Sequence, residues 1–300
     1  MSDNDTAQAV RLTRSMMFVP ASNASMLSTA MIYGADTYTF DLEDAVSPRE
    51  KDSARLMAFH AISSPMWRGY DITVRVNGIG TPFFEDDVEA MVRAGAASIR
   101  LPMTQDAAMV EQLDERLTQI EKACGREPGS TKCVVAIESA SGVVNAVSIA
   151  TASPRIEAIA IAAFDYLVDM HADRSTAGTE LFYARCAVLH AARYAKIAAY
   201  DVVYGNVDDE AGFIREAETG KRLGFDGKSL VNPRQIPLLH NVYAPTVKEL
   251  NQARKVVAAA EEALANGVGV IAVDGAMVDK PVIDAARRTV AYAAQSGTRQ

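Results

Sequence analysis

The chain has 300 residues, with 30 Lys and Arg against 38 Asp and Glu, a net charge of −8. That surplus of acid argues against a protein that works on nucleic acid or an anionic membrane surface. At 49% hydrophobic and 23% charged residues the composition is that of a globular chain, not a disordered one.

Cys124, Cys133 and Cys186 are too few for a disulfide framework and show no zinc spacing. The first fourteen residues are polar, and the apolar runs, such as 156–164, fall far short of the roughly 20 residues of a membrane span. A soluble chain in a reducing, cytoplasmic compartment is the expectation.

Along the chain, short β-branched runs alternate with longer amphipathic ones. The pattern predicts strands at 15–20, 37–43, 72–77, 98–102, 133–139, 156–165, 201–204 and 226–231. Helices are expected near 23–33, 49–63, 83–94, 105–124, 142–152, 177–197, 208–223 and 233–241. Asn23, Pro48-Arg49-Glu50 and Asp208-Asp209-Glu210 are start signals for three of them. Runs such as VVAIE and AIAIAAF are apolar throughout, as in a parallel sheet buried on both faces. Eight βα units predict an α/β fold, a closed (β/α)8 TIM barrel over residues 1–245, with an open doubly wound sheet as the alternative.

After Pro245 the pattern changes: a helical stretch at 246–266 closed by Gly267, two short apolar runs around Asp274-Gly275 at a hairpin turn, and a helix at 281–295. This predicts a C-terminal helix–hairpin–helix appendage, residues 246–300, for subunit contacts or active-site cover.

In a barrel the C-terminal strand ends carry the chemistry. Here those ends bear Asp41, Glu43 and Asp44, then Arg75 and Asn77, Met103, Glu138 and Ser139, Asp165, and Lys228 to Asn232. Glu138 and Asp165 suit a hard divalent ion such as Mg²⁺, which takes one or two carboxylates and leaves its other positions to water or substrate. A helix cap or an ion pair is the plainer role for either acid. Arg75 could grip a substrate carboxylate with its fork, or could simply pair with Asp41 or Asp44. Gly227-Lys228-Ser229 lacks the earlier glycine of a P-loop, Gly78-Ile79-Gly80 lacks the third glycine of a dinucleotide fingerprint, and no GxSxG elbow is present.

RSMMFVP (14–20), FDLEDAV (40–46), VRVN (74–77), RLP (100–102), GREPGST (125–131), AIES (136–139), GTELFYARC (178–186) and LGFDGKSLVNPRQIPLLHNVYAPT (223–246) are motifs spanning nearly the whole chain. Through them the sequence resembles the citrate-lyase-β/malyl-CoA-lyase-like group, and within it the citrate lyase β subunits. The resemblance implies a TIM barrel that cleaves a citryl thioester, on an acyl carrier or on CoA, into oxaloacetate and an acetyl thioester. It implies that Glu138 and Asp165 bind Mg²⁺ and that Arg75 and Glu138 contact substrate. Asp44 is a candidate base, beside Glu43 or a residue of a neighbouring subunit; orienting Arg75 is the other role open to Asp44.

The resemblance further implies acyl carrier and transferase subunits as partners and a homo-oligomer, a trimer. It departs from the group's pattern at Ala21, Met103, Ala140-Ser141 and Ala162-Ala163-Phe164, all beside strand ends; Met103 stands where the group carries Lys. These departures leave open a lyase for citramalyl-CoA or malyl-CoA, or a non-catalytic assembly subunit.

Overall fold

The computed structural model describes residues 12–265 and 271–296. Eight parallel strands close into a barrel in sequence order: β1 (Ser15–Pro20), β2 (Thr37–Asp41), β3 (Ile72–Arg75), β4 (Ser98–Leu101), β5 (Lys132–Ile137), β6 (Ile156–Ile161), β7 (Ala198–Asp201) and β8 (Gly227–Leu230). Closure comes from β1 lying parallel to β8, with Ser15 opposite Lys228 and Met17 opposite Leu230. The expected TIM-type α/β barrel is therefore the observed one.

Helices follow the strands: α1 (Ala24–Thr29), α2 (Lys51–Ser63), α3 (Phe84–Ala94), α4 (Ala107–Cys124), α5 (Ala140–Val144), α6 (Ala146–Ala150), α7 (Ala163–Asp169), α8 (Phe182–Ala195), α9 (Glu210–Leu223) and α10 (Gln235–Tyr243). Their ends carry the expected chemistry. Asn23 accepts from the Met26 amide at α1, Asp106 from Met109 at α4, and Asp209 from Gly212 at α9, while α3, α4 and α9 end on left-handed glycines.

Alternation decides what faces outward. On β2, Tyr38 and Phe40 point to the helix layer and meet Trp67 edge-on, with centroids 5.1 and 4.9 Å apart. The Trp67 indole N–H, buried with them, donates to the Leu27 carbonyl at 2.8 Å.

Several strands end a residue or two before the expected bounds, and three elements differ more. β6 stops at Ile161, and Ala163–Asp169 turns helical, which places Asp165 in the first turn of α7, where negative charge is favoured. β7 begins at Ala198, three residues early, because Ala-rich residues read equally well as the end of a helix. The helix expected over 142–152 is two short ones, divided at Asn145.

The described residues form two compact units, the barrel from Thr13 to Val242 and a smaller one. The latter holds α11 (Val247–Ala265), the hairpin β9 (Ile271–Val273) and β10 (Ala276–Val278), and α12 (Lys280–Gln295). Thr246 and Glu249 bond each other's backbone N–H groups in a capping box at the start of α11. Asp274 and Gly275 both have positive φ, as a two-residue hairpin turn requires. Ala253, Val256, Val278 and Ala286 form a core of their own. The expected cap at Gly267 lies outside the described residues. No helix among the described residues is long and apolar enough to cross a membrane.

Candidate active site at the barrel mouth

Asp41 and Arg75 are the last residues of adjacent strands and lie opposite each other in register. Arg75 Nε and Nη2 donate to the two Asp41 oxygens at 2.7 and 2.6 Å, a bidentate fork. Nη1 lies 2.7 Å from Glu43 Oε2 and 3.2 Å from Asp44 Oδ2. Asp41 also accepts the Glu43 and Ala45 amides, so it is wholly occupied in holding the turn after β2. Burial opposes the charge on Arg75, but Asp41, Glu43 and Asp44 together raise its pKa further.

That turn is held from below as well. Lys51, buried at the start of α2, donates to the carbonyls of Leu42 and Glu43 at 2.7 and 2.6 Å, and Asn77 donates to Leu42 at 3.0 Å. The effect is to press the Glu43 carboxyl inward while Asp44 stays at the rim, its side chain 71% exposed. Burial, with Asp44, Glu138 and Asp41 reinforcing it against Arg75, pushes the Glu43 carboxyl up to about 8.

Glu138 follows β5 at the next part of the rim and is 2% exposed. Its Oε1 accepts the Met103 amide at 3.2 Å, and Met103 adopts a left-handed φ of 49° to offer it. Burial pushes the Glu138 carboxyl up to about 7; the Met103 amide and Arg100 work against this, and Asp165 adds to it. Ser139 caps α5, and Asp169 at the end of α7 accepts the Ala140 amide at 2.7 Å, tethering the helix that carries Asp165 to the one that begins after Glu138.

Among the described residues no group of three His, Cys, Asp or Glu side chains could hold a metal alone. A buried carboxylate with a second one near it and no cation in hydrogen-bonding contact is the donor set of a hard ion that completes its shell with water or ligand oxygens, as Mg²⁺ does. It is not that of zinc. The residues present fit such an ion.

Sequence reasoning brought Asp44, Arg75 and Glu138 to the mouth and Asp165 beside it. It passed over Lys51, for which nothing in the sequence signals a role. It also passed over Arg100, which appeared only inside the RLP motif. An Arg on an apolar strand, in register with Arg75, was the available signal. A cavity of about 850 Å³ adjoins the α7 side of the mouth, lined in part by Phe164, Arg174, Tyr204 and Arg215. Arg174 lies over the rings of Phe164 and Tyr204 at 5.6 and 5.7 Å.

A parallel eight-stranded barrel with carboxylates and a clamped arginine at its C-terminal rim defines a barrel enzyme of the metal-assisted acid–base kind. The model of the HpcH/HpaI aldolase/citrate lyase family matches residues 14–233, and the chain belongs to that family. It is 52% identical over 290 residues to the citrate lyase subunit beta of Escherichia coli, covering 97% of this chain and 96% of that one. It is 33% identical over 290 residues to an L-malyl-CoA/beta-methylmalyl-CoA lyase of Cereibacter sphaeroides, with 90% and 91% covered. Among solved structures it is similar to CitE of Mycobacterium tuberculosis in complex with magnesium, acetoacetate and coenzyme A, at a TM-score of 0.77 and 26% identity, covering 96% and 99%. A citrate lyase beta subunit of the same organism, complexed with oxaloacetate and magnesium, aligns at 0.67 and 26%, covering 79% and 100%.

Proposed function

We propose that the chain is a Mg²⁺-dependent carbon–carbon lyase that cleaves a citryl thioester into oxaloacetate and an acetyl thioester. The observation that carries this is the meeting of Glu138, Asp165 and Arg75 at one rim, in a chain half identical to citrate lyase beta subunits.

In the cleavage the hydroxyl loses its proton and its oxygen becomes the ketone of oxaloacetate. The electron pair of the broken C–C bond passes to the thioester fragment as an enolate, which then takes up a proton. Glu138 and Asp165 would hold the Mg²⁺, which when bound would supply a Lewis acid for the oxygen that changes charge. Arg75, fixed on three sides by carboxylates, presents a preorganised positive charge to the developing anion.

For the proton we assign Glu43, which is seated inward against Arg75 and exchanges a proton near neutral pH. Asp44, the other candidate, reaches Arg75 from the exposed rim, and we assign it to orienting the guanidinium. The barrel is the catalytic part in this reading. In the same reading the C-terminal unit is an appendage for subunit contacts. We further propose that the chain works beside acyl carrier and transferase subunits, as a homotrimer in the cytoplasm; the relatives' designation as beta subunits supports work within a complex.

The test is release of oxaloacetate from citryl-CoA by the purified chain with Mg²⁺ and with EDTA. Turnover should vanish with EDTA and fall by about 10²-fold or more in Glu138→Gln and Asp165→Asn. Release of pyruvate from citramalyl-CoA alone, or no turnover of either thioester, would overturn the proposal.

A further inference from the structure

Two arginines sit side by side on the inner face of the barrel. Arg75 and Arg100 are register partners on β3 and β4, and both guanidinium carbons lie 5.1 Å from the centroid of the Phe18 ring. Like charges placed directly across a sheet repel, so this arrangement needs a reason.

Arg75 is saturated: its Nε, Nη1 and Nη2 all point at Asp41, Glu43 and Asp44. Arg100 is the opposite case. It is 3% exposed, its Nε has no hydrogen-bond partner, and its Nη1 reaches only the thioether sulfur of Met16, at 3.1 Å. Among the described residues no carboxylate forms an ion pair with it. A buried guanidinium with a sulfur atom for company is expensive unless something anionic comes to it. The charges acting on it are those of the mouth: Arg75, then Glu138, Asp41 and Glu43. Burial, and then Arg75, hold its pKa down to about 10, so it still carries its charge at neutral pH.

A citryl thioester has two free carboxylates, one beside the reacting hydroxyl and one a carbon further away. We propose that Arg100 receives the second of these, and so selects a substrate that has it over one that ends in methyl or hydrogen. This rests on the lyase reading above. It moves the role of substrate-carboxylate anchor from Arg75, whose donors are taken by carboxylates, to an arginine whose Nε has no partner and whose Nη1 meets only a thioether.

The experiment compares wild type, Arg100→Met and Arg100→Lys by calorimetric binding of oxaloacetate and of pyruvate, each with Mg²⁺. Oxaloacetate carries the additional carboxylate and pyruvate does not. Arg100→Met should weaken oxaloacetate by about tenfold or more and leave pyruvate within about twofold, with Arg100→Lys between. In turnover the same substitution should cut kcat/KM for citryl-CoA and spare citramalyl-CoA.

Methionine replaces an unpaired buried cation with an apolar chain of similar reach, so the fold should hold, which the Tm checks. Equal weakening of both ligands, or of neither, overturns the assignment while wild-type cleavage of citryl-CoA keeps the lyase reading intact. A wild type that cleaves no citryl-CoA overturns the lyase reading and this assignment with it.

Discussion

At the scale of single residues, the chain separates acids that work from acids that hold. Glu121, on α4, is fully buried, and its oxygens accept from Arg155 at 2.8 and 3.0 Å and from the amides of Gly129 and Thr131 at 2.8 and 2.7 Å. Against the upward push of burial these bonds hold its carboxyl down at about 2. The loop that supplies the two amides is GREPGST, so this motif, one of the most telling in the sequence, is half of a clamp that Arg155 completes, away from the mouth.

Glu121→Ala leaves Arg155 with Asp114 as its remaining carboxylate partner and should cost about 1.5–3 kcal/mol. Because the folded pKa lies below the unfolded one, the stabilisation from the charged form is present above about pH 4 and drains away as the pH falls toward 2. Urea unfolding of wild type and Glu121→Gln across that range should show their difference shrinking as the pH falls. A difference independent of pH would contradict the ion-pair account.

At the scale of elements, the legible parts were those with an unambiguous period or cap. β1 runs over the residues expected of it, and the caps at Asn23 and Asp209 begin α1 and α9. What could not be read was where an alanine-rich run changes from strand to helix. AIAIAAFD satisfies both periods until tertiary packing decides, and the decision moved Asp165 from a strand end to a helix start. Arg100 was hidden for a related reason: which of two arginines is already paired depends on a fold in which β2 lies beside β3.

Gly227, where β8 begins, makes an element-scale prediction. A Cβ there would run into the carbonyls of Thr13 and Arg14, the backbone with which β8 closes the barrel onto β1. Lys228 N donates to the Arg14 carbonyl at 2.8 Å, so the approach cannot relax without losing that bond. Gly227→Ala should lose about 2 kcal/mol or more, read as a fall in Tm of several degrees. An unchanged Tm would show that β1 can yield.

At the scale of the molecule, the barrel carries charge in two separate places. Outside the strands, buried ions join β7, β8, α8 and α9. Arg185 pairs with Asp201 at 2.8 Å, Lys228 lies 2.7 Å from Glu216, and Arg174 lies 2.6 Å from Glu216. There each charge has a partner of opposite sign. Inside the mouth the account does not close by itself among the described residues: buried Glu138 has no cation in contact, with Asp165 near it on the exposed first turn of α7, and Arg100 has no anion.

Saturating Mg²⁺ at about 100 times its Kd should therefore stabilise the whole barrel by about 2.7 kcal/mol, raising the Tm by several degrees. The rise should be absent in Glu138→Gln. A melt indifferent to Mg²⁺ in the wild type would mean that these two acids hold no ion in the resting protein.

The contact between Met103 and Glu138 has a bearing on how such a site can change over time. What grips the carboxylate is a peptide N–H, which every amino acid except proline possesses, and the left-handed φ it needs disfavours chiefly β-branched residues. The side chain at 103, 38% exposed, is left out of that grip. Substitution there can alter the lining of the mouth without loosening the acid beneath it, and specificity can drift at this position while the catalytic machinery is inherited unchanged.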